Sequence, residues 1–166
     1  MCADQKPPAV QDYYPDDVAH CFGCGRLNEH GHQLKTYWDG DETVTTFRPH
    51  AYHTAIPGYV YGGLVASLID CHGTGTAAAV AARAANLELG GDLVPSGQAP
   101  RFVTAALTVQ YLRPTPLGPE LEVRGRVKES TDRKVVVEAT VSAEGQITAR
   151  GEVVAVRMPE GMVSGR

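Results

Sequence analysis

The chain predicts an α+β fold in which one long buried helix is wrapped by a curved antiparallel sheet of about six strands. Three observations predict it. Only the stretch from Pro57 to Ala85, PGYVYGGLVASLIDCHGTGTAAAVAARAA, spaces its apolar residues as a helix does. Two short strand-like runs precede that stretch, and four runs that alternate with period two follow it. Short turn sequences separate the neighbouring runs, which favours antiparallel pairing. The 166 residues, 43% of them hydrophobic, suffice for one domain with a sizeable core.

Residues 1–19 are rich in Pro, Asp and Tyr without periodicity, and read as an N-terminal arm packed loosely or not at all. The domain proper runs from residue 20 to 158. It starts with His20-Cys21-Phe22-Gly23-Cys24-Gly25, followed by His30 and His32. These soft-metal ligands fit either a zinc knuckle or a glycine-rich turn whose thiols plug the edge of the core. Gln33 to Trp38 and Glu42 to Arg48 read as two strands joined across Asp39-Gly40-Asp41, a strong hairpin signal. His50, Tyr52 and His53 fall in the loop before Pro57, where they either carry function or turn the chain.

In the helix, Leu64, Val65, Leu68, Ile69, Ala78 and Ala82 leave a narrow polar face, so the helix belongs in the core. Asp70 breaks the pattern, because a buried carboxylate is costly unless it is paired or has a chemical role. Gly62 and Gly63 open the helix and bare its unpartnered first-turn amides at the positive end of the dipole. Gly73 and Gly75 each cost about 1 kcal/mol against alanine but keep the helix thin enough for a sheet to close around it. The interval Asn86 to Pro100 reads as a flap or loop. Beyond it, Val103, Ala105, Leu107, Val109 and Tyr111 alternate with Thr104, Ala106, Thr108, Gln110 and Leu112, and further strands are expected at Leu121–Lys128, Val135–Ser142 and Ile147–Met158. Residues 159–166 form a tail.

A formal charge of −4 with no basic run excludes nucleic acid or an anionic membrane surface as the main partner. The apolar helix holds Asp70, His72 and four glycines before Arg83, so it does not read as a membrane span. The N-terminal residues show neither the apolar stretch of a signal peptide nor the Arg-rich character of a transit peptide. The chain is expected to be cytoplasmic, with its four cysteines reduced.

Pro57-Gly58-Tyr59-Val60-Tyr61-Gly62-Gly63 with Leu68-Ile69-Asp70, the upstream Cys21-Phe22-Gly23-Cys24-Gly25, and the downstream Val109-Gln110-Tyr111-Leu112-Arg113-Pro114 together resemble the PaaI-like branch of the hotdog-fold thioesterases. The resemblance covers roughly residues 20–158. It implies a helix wrapped by an antiparallel sheet, homodimers or dimers of dimers, and hydrolysis of acyl-coenzyme A with no metal or other cofactor. It also implies that Asp70 is the acidic catalytic residue and that the Gly62 amide holds the thioester oxygen. Where the family usually has His-Gly-Gly this chain has Tyr61-Gly62-Gly63, and Ala55 stands where some members place Asn.

A thioester carbonyl gains negative charge when attacked, and an amide of Gly62 or Gly63 at a helix N-terminus suits that charge. Asp70 would act as general base for water or as the nucleophile; the residues alone leave both open, and also leave open its pairing with a buried Arg such as Arg101. Tyr61 can donate a hydrogen bond in place of the missing histidine. Thr74, one turn beyond Asp70, either positions the water or satisfies the carboxylate. His53 is a candidate substrate contact, and Arg113, Lys128, Arg133 and Lys134 are candidates for the anionic coenzyme. Two other readings stand beside hydrolysis: a non-catalytic acyl-thioester binder, suggested by Tyr61, and a hotdog hydratase acting on enoyl-coenzyme A. Gly62 and Asp70 are separated by eight residues, roughly 12 Å along a helix, so a shared site between two chains is expected.

Overall fold

The computed structural model describes residues 9–87 and 99–163. One helix, α1 (Gly62–Ala84), packs against a six-stranded antiparallel sheet built from β1 (Tyr37–Asp39), β2 (Glu42–Phe47), β3 (Phe102–Tyr111), β4 (Leu121–Ser130), β5 (Lys134–Ala143) and β6 (Gln146–Arg157). The strand order is β1-β2-β4-β5-β6-β3, so β1 and β3 are the two edges. Each strand meets its neighbour antiparallel. The Asp39-Gly40-Asp41 turn forms between β1 and β2, with Gly40 at φ 63°, a left-handed value that glycine adopts without strain.

The helix is buried on nearly every side: Leu64, Val65, Leu68, Ile69, His72, Thr76, Ala78 and Ala82 are all at most 1% exposed. α1 is long and apolar enough to cross a membrane, but here most of it is enclosed as the core of the domain. Small residues permit this closeness. A Cβ on Gly73 would lie 2.5 Å from Val153 of β6, and one on Gly75 would lie 2.6 Å from both Gln11 and Thr36. Gly125 on β4 makes room for His72 in the same way, since a Cβ there would meet the His72 Nε2 at 2.6 Å. His72 is held between two threonines of β2, with Nδ1 2.7 Å from the Thr45 hydroxyl and Nε2 3.1 Å from the Thr43 hydroxyl. Thr43 also meets Thr76 at 2.6 Å, so a buried polar seam ties helix to sheet.

Three expectations are corrected. The segment before the domain is not loose from residue 9 onward: a 3-10 turn, Val10–Tyr13, buries Val10, Gln11 and Tyr13, Tyr14 is buried directly after it, and a second turn follows at Asp16–Val18. Single turns of this kind have no periodicity to betray them. The first strand begins at Tyr37 rather than Gln33, because Gln33 has φ 50° and Thr36 is engaged by the N-terminal turn through Gln11 Oε1 (2.8 Å) and the Val10 amide (3.3 Å). β3 is not a strict period-two strand, since Ala105 is an extra residue between the pairs Thr104↔Ala155 and Ala106↔Val154. The bulge turns Thr104 to the helix side, the side that Tyr111 also faces. The flap expected at Asn86 to Pro100 lies largely outside the described residues.

Candidate functional site

Asp70 lies half-buried on the edge of α1 beside β3. Its Oδ1 accepts a hydrogen bond from the Thr104 hydroxyl, and no cation forms an ion pair with it among the described residues. Arg101 does not reach it; that guanidinium lies over the Tyr14 ring at 4.6 Å. Thr74 does not meet the carboxylate side chain, because its hydroxyl donates to the helix carbonyls of Asp70 (3.3 Å) and Cys71 (3.2 Å). Thr104 occupies the place expected of Thr74. Period-two reading could not find it, since the bulge at Ala105 decides which way it points.

At the start of the helix, Tyr61 is the N-cap in extended conformation, and the exposed Gly62 and Gly63 follow it. Among the described residues the amides of Gly62 and Gly63 donate to no protein acceptor, whereas the Leu64 amide bonds the Tyr61 carbonyl at 3.1 Å. The first-turn donors are therefore left without an acceptor among the described residues, as an anion-receptive pole requires. Tyr111 fixes this end, its hydroxyl donating to the Gly62 carbonyl at 2.7 Å, and the Tyr61 ring lies against Gly63. The alternating pattern and the Val109–Pro114 motif place Tyr111 on a strand, but its hold on Gly62 depends on the fold.

The loop before the helix is tied down by backbone hydrogen bonds. The Tyr61 amide donates to the His53 carbonyl (3.0 Å), and the Val60 amide to the Thr115 carbonyl (2.9 Å). His53 is 6% exposed, and its Nδ1 accepts the His50 amide at 3.0 Å. That bond puts the proton of the neutral ring on Nε2. Burial, then the neighbouring His32 and His50, lowers its pKa. His53 thus supports the loop from behind, in an aromatic and imidazole cluster with His32, Phe47 and Tyr52.

The four basic candidates separate. Lys128 pairs with Glu152 (2.7 Å) and Glu138 (3.4 Å), and Lys134 pairs with Glu129 (2.8 Å). Arg113 and Arg133 make no ion pair among the described residues, and Arg113 donates to Gln146 Oε1 at 3.2 Å. Arg113 follows Tyr111 by two residues, at the sheet end that carries the start of α1. Arg133 and Lys134 turn the chain at the opposite end, where β5 begins.

Of the candidate ligands of a zinc knuckle, the three histidines do not join the two cysteines. His30 is exposed beside Glu29, His20 is exposed, and His32 packs between Phe22 and Phe47. Cys21 and Cys24 are instead joined by Cys71 of α1, all three sulfurs lying within 4.8 Å of one another. Spacing could not reveal this third thiol, which is 47 residues beyond Cys24.

A recess of about 560 Å³ lies on the sheet face turned away from the helix, far from Asp70 and Gly62. Its charges, among them Glu42, Arg124, Arg126, Glu138 and Glu152, largely neutralise one another.

The sequence profile of the thioesterase superfamily matches residues 57–150, which include α1, Asp70 and most of the sheet. A thioesterase superfamily protein from Shewanella loihica PV-4 is 53% identical, over 79% of this chain and 96% of that one, with a TM-score of 0.62. A phenylacetic acid degradation-related protein from Ralstonia eutropha JMP134 shares the fold at 17% identity, with 75% and 85% of the two chains covered and a TM-score of 0.57. A thioesterase variant from Pseudomonas aeruginosa does so at 12% identity, with 77% and 83% covered and a TM-score of 0.57. No functionally curated protein matches the chain in sequence.

Proposed function

The chain belongs to the thioesterase superfamily, and on that premise we propose that it hydrolyses an acyl-coenzyme A thioester to the free acid and coenzyme A. The observation that carries the reading is the Asp70 carboxylate, oriented by Thr104, with no neutralising cation among the described residues and beside an unpaired sheet edge. Such a group is free to take a proton from water or to attack carbon itself. In the first route Asp70 removes a proton from water as the oxygen bonds to the thioester carbon. The carbonyl electrons move onto oxygen against the Gly62 amide, then return as the C–S bond breaks and the thiolate takes up the proton. In the second, the carboxylate bonds to the carbon and the C–S bond breaks, expelling the coenzyme A thiolate and leaving an aspartyl anhydride; water then cleaves the anhydride to the free acid, restoring the Asp70 carboxylate and giving up a proton to the thiolate.

The site is completed by a second copy of the chain. β3 leaves its outer backbone unpaired, and Leu107 and Tyr111 on it are 38% and 55% exposed. Thr104 holds Asp70 near one end of β3, and Tyr111 holds Gly62 at the other. If two β3 strands pair antiparallel about a two-fold axis through Thr108, Tyr111 of one opposes residue 105 of the other, next to Thr104. Asp70 then approaches the partner's Gly62, which it cannot do within a chain across roughly 12 Å. Arg113 near the helix start is the favoured contact for a coenzyme phosphate, and the three buried or half-buried free thiols suit a cytoplasmic setting.

The Tyr61 ring against Gly63 favours a second reading, a binder that holds acyl thioesters without cleaving them. A panel of acyl-coenzyme A esters assayed for free thiol separates the two. Steady turnover is expected, falling at least about 100-fold in Asp70→Asn with the fold unchanged. Tight binding without turnover would replace hydrolysis by the binder, and loss of enoyl absorbance without thiol by a hydratase.

A further inference from the structure

Cys21, Cys24 and Cys71 form a cluster that the hydrolytic reading does not use. The Cys21 and Cys71 sulfurs are 3.8 Å apart, and all three lie within 4.8 Å of one another. A tetrahedral zinc ion with bonds of about 2.3 Å separates its sulfur ligands by about 3.8 Å, so the cluster needs little movement to close on one. Packed thiols alone could also show such spacing. Two further features they leave unexplained.

The first is the loop. The Gly25 amide donates to the Cys21 carbonyl at 2.8 Å, which closes the turn carrying both loop thiols. Gly23 is required by the approach itself, since a Cβ there would lie 2.1 Å from the Cys71 sulfur. The second is Arg101. Its guanidinium donates to the Cys24 sulfur at 3.8 Å, its Nη1 is buried with no partner, and no carboxylate pairs with it among the described residues. A mostly buried cation beside three neutral thiols has no counter-charge among the described residues, whereas three thiolates around a divalent ion carry one net negative charge and balance it. The Tyr14 hydroxyl is buried as well, with no hydrogen-bond partner of good geometry among the described residues, and its ring lies under Arg101 at 4.6 Å.

We propose that Cys21, Cys24 and Cys71 bind one zinc ion, with Arg101 as its buried charge partner and the fourth position left to solvent. The ion would clamp the loop at 21–24 onto α1 one residue beyond Asp70. It takes no part in the hydrolysis described above, and the two readings stand or fall separately.

The test uses the full-length chain, reduced, purified without chelating resin, and analysed for metal by mass spectrometry. About one zinc per chain is expected. Chain recovered empty is titrated with zinc against a chromogenic chelator, and an equimolar end point with all three thiols protected from alkylation supports the site equally. Cobalt taken up in place of zinc should show thiolate charge-transfer absorption. Cys71→Ser should lower the affinity at least about tenfold, and Cys2→Ser should leave it unchanged. No uptake by the unmodified chain overturns the proposal without recourse to any variant. So does zinc binding that Cys71→Ser leaves intact, or ready formation of a disulfide among the three sulfurs while zinc is present in excess.

Discussion

His72 offers a measurable link between the buried polar seam and stability. Enclosure within the helix–sheet interface pushes its pKa down to about 3, and burial is the cause. In the unfolded chain an ordinary histidine titrates near 6.5. The unfolded state therefore binds a proton that the folded state refuses across the interval between those values, and stability falls as pH falls through it. Between pH 7 and pH 5 the loss integrates to about 2 kcal/mol for this one group. His32 and His53, whose pKa values burial also lowers, add to the same trend, so the wild-type slope alone does not isolate His72. His72→Gln keeps a side chain that can both donate and accept between Thr43 and Thr45 but cannot become charged. Urea unfolding at pH 7 and pH 5, at one fixed chain concentration, should show wild type losing about 2 kcal/mol more than the variant. Stopping at pH 5 avoids most carboxylate titration, including that of Glu42, which Arg126 and then Arg124 hold below its ordinary range. Equal losses in the two proteins would show that His72 accepts a proton in the folded state and refute the argument.

The shared site is tested by coexpressing differently tagged Asp70→Asn and Gly62→Pro chains. Each homodimer should be nearly inactive and the mixed dimer should regain about half the wild-type rate, one site of two being intact; no recovery, with dimer size and circular dichroism unchanged, would rule out sharing. Proline serves because it removes the amide and tolerates the first helical turn. Arg113→Ala should raise KM several-fold for coenzyme A esters, leave kcat nearly constant and weaken the salt dependence, whereas Lys128→Ala, already matched by Glu138 and Glu152, should do neither. An unchanged KM in Arg113→Ala would move the phosphate contact elsewhere.

The fold was legible because its signals are local and repetitive. The helix from Gly62 to Ala84 begins within the stretch whose apolar spacing predicted it, and the hairpin forms at Asp39-Gly40-Asp41. Even Gly73 and Gly75 could be read, as positions where the helix must be thin, and Val153, Gln11 and Thr36 fill the space that side chains there would need. What could not be read was contact between distant segments. Val10 and Tyr14 enter the core through single turns with no period, and Cys71 completes the thiol cluster from the opposite side of a loop.

The site divides along the same line, and β3 shows why. A strand with strict alternation would put Thr104 and Tyr111 on opposite faces, so one of Asp70 and Gly62 would lose its partner. The single extra residue at Ala105 cancels that difference of parity, and both side chains turn to the helix. A bulge also disrupts the regular ladder where it sits. Here it lies on the pair with β6, leaving the outer edge from Ala106 to Tyr111 regular and available for a second β3. Asp70 and Gly62 stand out in the sequence as candidates because a carboxylate on an apolar helix and a glycine pair at its start are each anomalous by themselves. Thr104 and Tyr111 are ordinary strand residues until one inserted position aims them. On the proposed pairing, that same position aligns an acid with a partner's oxyanion donor, so deleting Ala105 should harm catalysis beyond its effect on folding.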